Sequence, residues 1–515
     1  MTKYDAVIVG SGLGGLTTGA ILARAGRKVL VIEKSNSVGG AASSYKAGDL
    51  FVEGSLHETS DPSDPRDPKH DILKRAGVLD ALKWVPSGAF YQVRGGPVGA
   101  PLLLPDDFDS ARRVLTQRFP QARDGIDGLL SDMELISSAM GTLSRGAGAF
   151  RNPLEGLSAL MKLVPKVRDW NLSLAQKLDR LFGDNEAVKC AVAANLSYYH
   201  DDPSTLWWLF FALAQGSYLL SGGRYVHSGS QRLSSALARI VIRSEGSGVV
   251  LRRVVSAIGL DGGGRAARVT HTARDGSDPQ TVDTARVIGN AAPSTLASLL
   301  PDSAATSLGE RYKDRAPSIS LFALTLGLSK PPRDFGFTSY STQLLPDWMT
   351  SLGDYARASS LMAGEPGDKM PPLAMADYAA IDSGVPAPPY VLSITAPDRV
   401  TNWSSLDQDA YRAKRERWQD AIVTYLNGHY PGLAAAVTAS SFNTALSVQQ
   451  YLGAPHGAVY GFAPHPPRSL FKMPVRSPAT SVPGLYLASS YGGFGGYSGA
   501  IQAAGTCADM ILREA

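Results

Sequence analysis

Residues 4–33 read Tyr4-Asp5-Ala6-Val7-Ile8-Val9, then Gly10-Ser11-Gly12-Leu13-Gly14-Gly15, then Leu16 to Ala25 with Gly26 behind it, then Arg27-Lys28-Val29-Leu30-Val31-Ile32-Glu33. The first six residues are mostly apolar and run straight into glycine, the pattern of a buried parallel strand. Gly10, Gly12 and Gly15 satisfy GxGxxG. Leu16 to Ala25 reads as a helix stopped by Gly26, and Arg27 to Glu33 as a second strand ending in an acid. Gly10 allows a tight turn, Gly12 lets the backbone approach a pyrophosphate, and Gly15 lets the helix pack closely on the strand. The helix start offers free N–H groups and a positive dipole end to phosphates. Glu33 stands 18 residues past Gly15, where a ribose-binding acid belongs. Its carboxylate accepts from ribose hydroxyls and repels a 2′-phosphate, so adenosine without one is preferred. FAD and NAD both fit this fingerprint.

The rest of the chain sets the bounds. It has 515 residues, 44% hydrophobic and 19% charged, enough for two domains or one composite one with a sizeable core. The net charge of +4 gives no electrostatic case for nucleic-acid binding. Two cysteines, Cys190 and Cys507, exclude a disulfide scaffold and a cysteine zinc site, and fit a reducing compartment. The N-terminus lacks the pattern of a secretory signal. Thr205 to Leu220 is the longest apolar stretch, broken by Gln215, Gly216 and Ser217, and too short for a spanning helix. The expected location is the cytoplasm, with peripheral contact at the inner face of the membrane left open.

Lys34 to Tyr45, KSNSVGGAASSY, places Gly39-Gly40 and small residues just after the acid. A tight loop there would let backbone pass beside the pyrophosphate or flavin side of a longer cofactor, or be an ordinary turn. With this segment the N-terminus resembles FAD enzymes of the amine-oxidase-like superfamily, nearest to the group of phytoene desaturases, carotenoid isomerases and retinol saturases. Tyr225 to Leu237 is similar to that group's GGSQxLxxAL element, with Ser228 in place of its first glycine. Val249 to Ile258 resembles the strand that meets the adenine end of FAD, with Val255 supplying the contact. Val482 to Gly505, VPGLYLASSYGGFGGYSGAIQAAG, resembles the closing flavin-binding motif. On its own terms that last segment is a turn, a short buried strand, a glycine loop and a helix from about Ala500, again an anion site. Ser489-Ser490 stands where many relatives carry Gly-Asp or Gly-Ala.

The resemblance implies an α/β fold: a Rossmann-like, glutathione-reductase-type FAD-binding domain with an α+β substrate domain inserted in it. The FAD domain is assigned to 1–70, 224–300 and 455–515, and the substrate domain to 71–223 and 301–454. Arg286 to Ala292 looks like the strand returning to the FAD domain, and 316–328 reads as a long strand flooring a substrate cavity. The cofactor contacts expected are Gly10, Gly12, Leu13, Gly14, Gly15, Glu33 and Lys34 at the first loop, and Gly40 and Ala41 at the second. Val255 serves the adenine end, with Ser490, Gly496, Tyr497, Ser498 and Ala500 at the C-terminal loop.

A flavin accepts hydride at N5, and the protein positions the substrate. Trp207, Trp208, Phe210, Phe211 and Tyr218, with Tyr198 and Tyr199 before them, suit either helical core or a wall for a long polyene or isoprenoid. Leu157 to Phe182 carries Lys162, Lys166, Arg168 and Lys177 among leucines and Trp170, a pattern that fits membrane docking or a solvated helix face. Arg412, Lys414, Arg415 and Arg417 read as a solvated face. His57 and Glu58 are the catalytic candidates, placed to take a proton as hydride leaves the neighbouring carbon, or else to hold structure. His200, beside Asp201 and Asp202, reads as a capping turn, while His456 and His465 are further candidates for the site. No HExxH or GxSxG motif appears, so metalloenzyme and hydrolase readings fall away. The expected activity is desaturation or isomerisation of a carotenoid-like polyene. The alternatives are a retinol-saturase-like reductase, an amine oxidase with Tyr460 and Tyr497 as cage residues, and a non-enzymatic isoprenoid-binding flavoprotein.

Overall fold

The computed structural model describes residues 3–54, 57–146, 158, 161, 163, 168–469, 477–493 and 495–514. Its central element is a five-stranded parallel sheet in the order Gly248–Val250, Val29–Ile32, Ala6–Val9, Val287–Gly289, Leu485–Leu487. The four inner and C-terminal strands are buried along their whole length, which explains their unbroken apolar sequences. One face is covered by the helices Leu13–Arg24, Gln231–Arg243 and Gly496–Arg513. The other packs on a four-stranded sheet formed by Arg253–Leu260, Ala266–Ala273, Gln280–Thr284 and the short N-terminal strand Lys3–Tyr4.

The second unit holds a seven-stranded sheet in the order Val437–Asn443, Ser320–Leu328, Tyr390–Asp398, Leu373–Asp377, Ser341–Leu345, Tyr91–Gly95, Gly99–Leu104. All its pairings are antiparallel except that of Ser341–Leu345 with Tyr91–Gly95. A helical layer that includes Phe108–Arg118, Arg123–Gly146 and Trp208–Ser221 closes around an apolar core at one end. This is an α/β Rossmann-like fold with an inserted mixed-sheet domain. Each sheet is assembled from pieces far apart in sequence: the parallel one from 6–32, 248–289 and 485–487, the mixed one from 91–104 and 320–443.

Several expectations are corrected. The first helix begins at Leu13 rather than Leu16, with Gly12 as its N-cap, so Gly14 and Gly15 lie inside its first turn. The last helix begins at Gly496, ahead of the expected Ala500. Val249 to Ile258 is two strands, because Arg252 takes a left-handed backbone (φ 57°) and turns the chain from one sheet into another. Lys414 is buried, not solvated: its ammonium donates to the carbonyls of Ala363 and Asn402 and lies over the Trp403 ring. Of the basic segment 157–182, Lys162 and Lys166 lie outside the described residues. Lys177 is spoken for, its Nζ bridging Asp132 at 2.7 Å and Asp169 at 2.6 Å. Among the described residues no helix is long and apolar enough to cross a membrane.

Candidate active site

The strand Ala6–Val9 ends at Gly10, whose φ of +94° makes the turn into the Leu13–Arg24 helix. A β-carbon on Gly12 would stand 2.6 Å from Nδ2 of Asn290, and one on Gly15 would stand 2.6 Å from the carbonyl of Gly10. Gly15 thus lies under the turn and serves helix packing, while Gly10, Gly12, Leu13 and Gly14 border the open space above it. The N–H groups of the helix's first turn have no intrahelical partner and face that space. The second glycine loop comes back across the first. Gly39 donates its N–H to the carbonyl of Ser11 at 3.0 Å, and a β-carbon on Gly40 would lie 3.3 Å from Cα of Gly12.

Glu33 sits just past its strand and is nearly buried. Oε2 accepts from the N–H and hydroxyl of Ser11 at 2.8 and 2.7 Å, and Oε1 from the N–H of Ser35 at 2.8 Å. Two backbone bonds straddle it: its N–H goes to Val250 and its carbonyl takes the N–H of Arg253. The turn at Arg252 therefore places Val255 beyond the acid on the same open space. Lys34 borders it too, with its ammonium pKa lowered by burial. From the C-terminal side come Ser490, Gly496, Tyr497, Ser498 and Ala500, with the N-terminus of the Gly496–Arg513 helix facing inward. The Tyr497 hydroxyl is buried and has no partner among the described residues.

All of these groups line one cavity of about 940 Å³, which continues into the second unit. There its walls are Tyr198, Tyr199, Phe210, Tyr218, Leu321, Phe322 and Tyr460. The aromatic run divides: Trp207, Trp208 and Phe211 are packed into the core instead. His456 and His465 do not border the cavity, and the His465 ring stacks on His200. His200 accepts the N–H of Asp201 in a turn.

His57 and Glu58 both border the cavity. Burial pushes the His57 pKa down to about 4, so the ring is neutral, and its Nδ1 is 2.6 Å from the Tyr378 hydroxyl. Tyr340 donates to the His57 carbonyl. Burial raises the Glu58 carboxyl to about 8, with the hydroxyl of Ser87 donating to Oε1 and the charge of Asp106 adding to the rise. Behind them Glu53 is buried and raised to about 7, although Ser230 and Tyr225 donate to it.

Residues 8–65 match the model of the NAD(P)-binding Rossmann-like domain. The chain is 24% identical to all-trans-retinol 13,14-reductase of Rattus norvegicus, over 99% of this chain and 86% of that one. It is 23% identical to the chloroplastic prolycopene isomerase of Daucus carota, over 99% and 81%. The structure of cyclohexylamine oxidase from Brevibacterium oxydans superposes with a TM-score of 0.62 at 15% identity, covering 100% of this chain and 99% of that one. The chain resembles the FAD-dependent amine-oxidase-like superfamily, whose fold it shares. The similarity to the retinol reductase and to the prolycopene isomerase is distant and runs the full length of the chain.

The cavity fits the dinucleotide of that superfamily on its own geometry. Two helix N-termini face one space, two glycine loops cross without side chains between them, and a carboxylate stands at the far end. Sequence reasoning missed Asn290, whose Nδ2 donates to the carbonyl of Gly10 at 3.3 Å. Its signal was position: it follows the strand Val287–Gly289 at the carboxyl edge of the parallel sheet, where ligands of such sheets bind. Tyr378, brought in from a distant loop, carried no comparable signal.

Proposed function

We propose that this protein binds FAD and moves hydrogen between the flavin and a carbon–carbon bond of a hydrophobic polyene or isoprenoid. The observation that carries the reading is the single cavity, joining the glycine loops to an apolar, tyrosine-walled chamber past His57 and Glu58. In this reading Gly12, Leu13 and Gly14 hold the pyrophosphate, Glu33 the ribose, and Val255 the adenine end. Ser490, Gly496, Tyr497 and Ser498 meet the flavin side. When bound, the flavin supplies a hydride donor or acceptor at N5.

The chain's own groups then set orientation and proton supply. The apolar walls keep water from the reacting carbon. Tyr378 fixes the neutral His57 ring through Nδ1, leaving Nε2 as its second nitrogen. Ser87 occupies Oε1 of Glu58, so Oε2 is the oxygen free to carry the proton. Below about pH 8 that carboxyl is protonated and gives a proton rather than taking one. A carboxyl in that state supplies the proton that the saturating direction needs, the alternative to the desaturation expected from sequence, in keeping with the similarity to a retinol reductase.

The test is anaerobic. The FAD-loaded protein is chemically reduced and mixed with all-trans-retinol or cis-polyenes, and separately mixed in its oxidised form with phytoene in liposomes. The expected result is return of the visible flavin band with a more saturated product. Bleaching by phytoene with a more unsaturated product would instead establish desaturation, and bleaching by amines alone would overturn the isoprenoid reading.

A further inference from the structure

Three buried tyrosines, Tyr225, Tyr340 and Tyr378, interlock beside His57. None of them borders the cavity that His57 borders. The Tyr378 ring meets those of Tyr225 and Tyr340 edge-on, at 5.3 and 5.9 Å between centroids. Strand register sets this arrangement. Tyr340 precedes Ser341–Leu345 and Tyr378 follows Leu373–Asp377, two strands paired antiparallel, and the Asp377 N–H donates to the Tyr340 carbonyl at 2.8 Å. Tyr225 comes from the short strand Gly223–Val226.

With the rings fixed, the hydroxyl protons can be counted. Each hydroxyl has one to give. That of Tyr225 goes to Oε2 of Glu53 at 3.0 Å. Tyr340 shares its own between the His57 carbonyl and the Tyr378 oxygen. Tyr378 keeps its proton, because burial holds its pKa well above the ordinary value. Among the described residues the acceptor left for that proton is Nδ1 of His57, 2.6 Å away. The neutral His57 ring carries a single proton, and with Nδ1 accepting, that proton is on Nε2. The two ring nitrogens point in widely different directions, so the Nε2–H is turned away from the tyrosines.

We infer that Tyr378 is a positioning residue that locks His57 as the Nε2–H tautomer, so that the ring offers the cavity a hydrogen-bond donor and not the base expected from sequence. This rests on the reading of His57 as a group of the active site and sharpens it. A neutral ring whose lone pair is engaged by Tyr378 does not collect a proton from a substrate carbon. It holds instead an acceptor atom, an oxygen or a ring nitrogen, of the flavin or of the substrate.

The experiment reads the tautomer directly. The full chain, isotopically labelled at its histidine ring nitrogens, is studied at neutral pH with and without FAD by long-range proton–nitrogen NMR. His57→Gln identifies the His57 signals by their loss. The expected result is a pyrrole-type Nε2 bearing the proton and a pyridine-type Nδ1. Tyr378→Phe keeps the ring in the cluster and removes the donor, so the two nitrogen shifts should move toward each other as the tautomers mix. Tyr340→Phe leaves the bond to Nδ1 in place and should preserve the wild-type pattern. A merely structural Tyr378 would change stability and leave the nitrogens as they are. A wild-type proton on Nδ1, nitrogens already averaged in the wild type, or a pattern that survives Tyr378→Phe each overturns the inference. The wild-type spectrum decides alone should a variant fail to fold. A wild-type chain that does not retain FAD would count against the proposed function, while its spectrum still decides the tautomer.

Discussion

Gly14, in the first turn of the first helix, lies directly against the carbonyl oxygen of Ala488, just past the last strand of the parallel sheet. A β-carbon on Gly14 would collide with that oxygen, and Ala488 is held in place by its N–H bond to the carbonyl of Gly289, so it cannot give way cheaply. Gly14→Ala should therefore lower stability by about 3 kcal/mol or more and abolish FAD retention. Gly309 is the control: it is exposed in the helix Asp302–Tyr312, and an added β-carbon meets nothing within 4 Å. Gly309→Ala should raise stability by about 0.5–1 kcal/mol. Denaturant titration of both variants checks the pair, and a Gly14→Ala protein as stable as wild type would refute the contact.

The raised carboxyl of Glu58 makes a linkage prediction. Its ordinary pKa of 4.5 becomes about 8 in the folded protein. Between those values the folded state holds a proton that the unfolded state has lost, so this group's contribution makes stability fall as pH rises. The buried Glu53, raised to about 7, acts in the same sense from 4.5 upward. His57 acts oppositely and lower: with its pKa depressed from 6.5 to about 4, it makes stability rise with pH across that window. Glu58→Gln should consequently gain stability over wild type as pH goes from about 4.5 to 8, and the two should converge in acid. Melting temperatures measured at several pH values decide it, and parallel profiles would mean that Glu58 ionises normally.

Ser228 holds a left-handed backbone, φ 66°, next to Gly229 at φ 96°. Its N–H donates to the Ser383 carbonyl at 2.6 Å and its hydroxyl lies 3.0 Å from Nδ1 of His227. The backbone strain of a side chain there is about 1 kcal/mol or more. Ser228→Gly should raise stability by roughly that amount, less whatever the His227 contact contributes. A destabilised variant would show that the hydroxyl contact outweighs the strain.

The glycine-loop half of the cavity was legible in sequence because its geometry is local. The turn at Gly10, the helix after it and Glu33 fall within one strand–helix–strand unit, and each demands a residue type at a spacing. That Ser490, Gly496, Tyr497, Ser498 and Ala500 would face the same space was readable for the same reason. The chamber was not. Helical spacing cannot separate Phe210, which borders the cavity, from Phe211, which is packed into the core. That distinction is set by a sheet whose strands come from residues 91–104 and 320–443. Lys414 was misread because a cation on a helix is ordinarily solvated, and its burial depends on carbonyls that loops 363 and 402 bring over it.

Glu33 provides the sharpest test of the cofactor assignment. Its two oxygens face donors on both sides: Ser11 N–H and hydroxyl at Oε2, Ser35 N–H at Oε1. A glutamine of the same shape must turn its NH₂ toward one of those donors, setting donor against donor. If the cavity takes FAD as proposed, Glu33→Gln should lose nearly as much FAD affinity as Glu33→Ala, about 10- to 100-fold, because each loses the charge-assisted bonds that hold the loop. Both variants should keep the far-ultraviolet spectrum of the fold. Flavin fluorescence titration of the apoprotein gives the dissociation constants. A Glu33→Gln protein that holds FAD as tightly as wild type would show that the carboxylate charge is not what this loop uses.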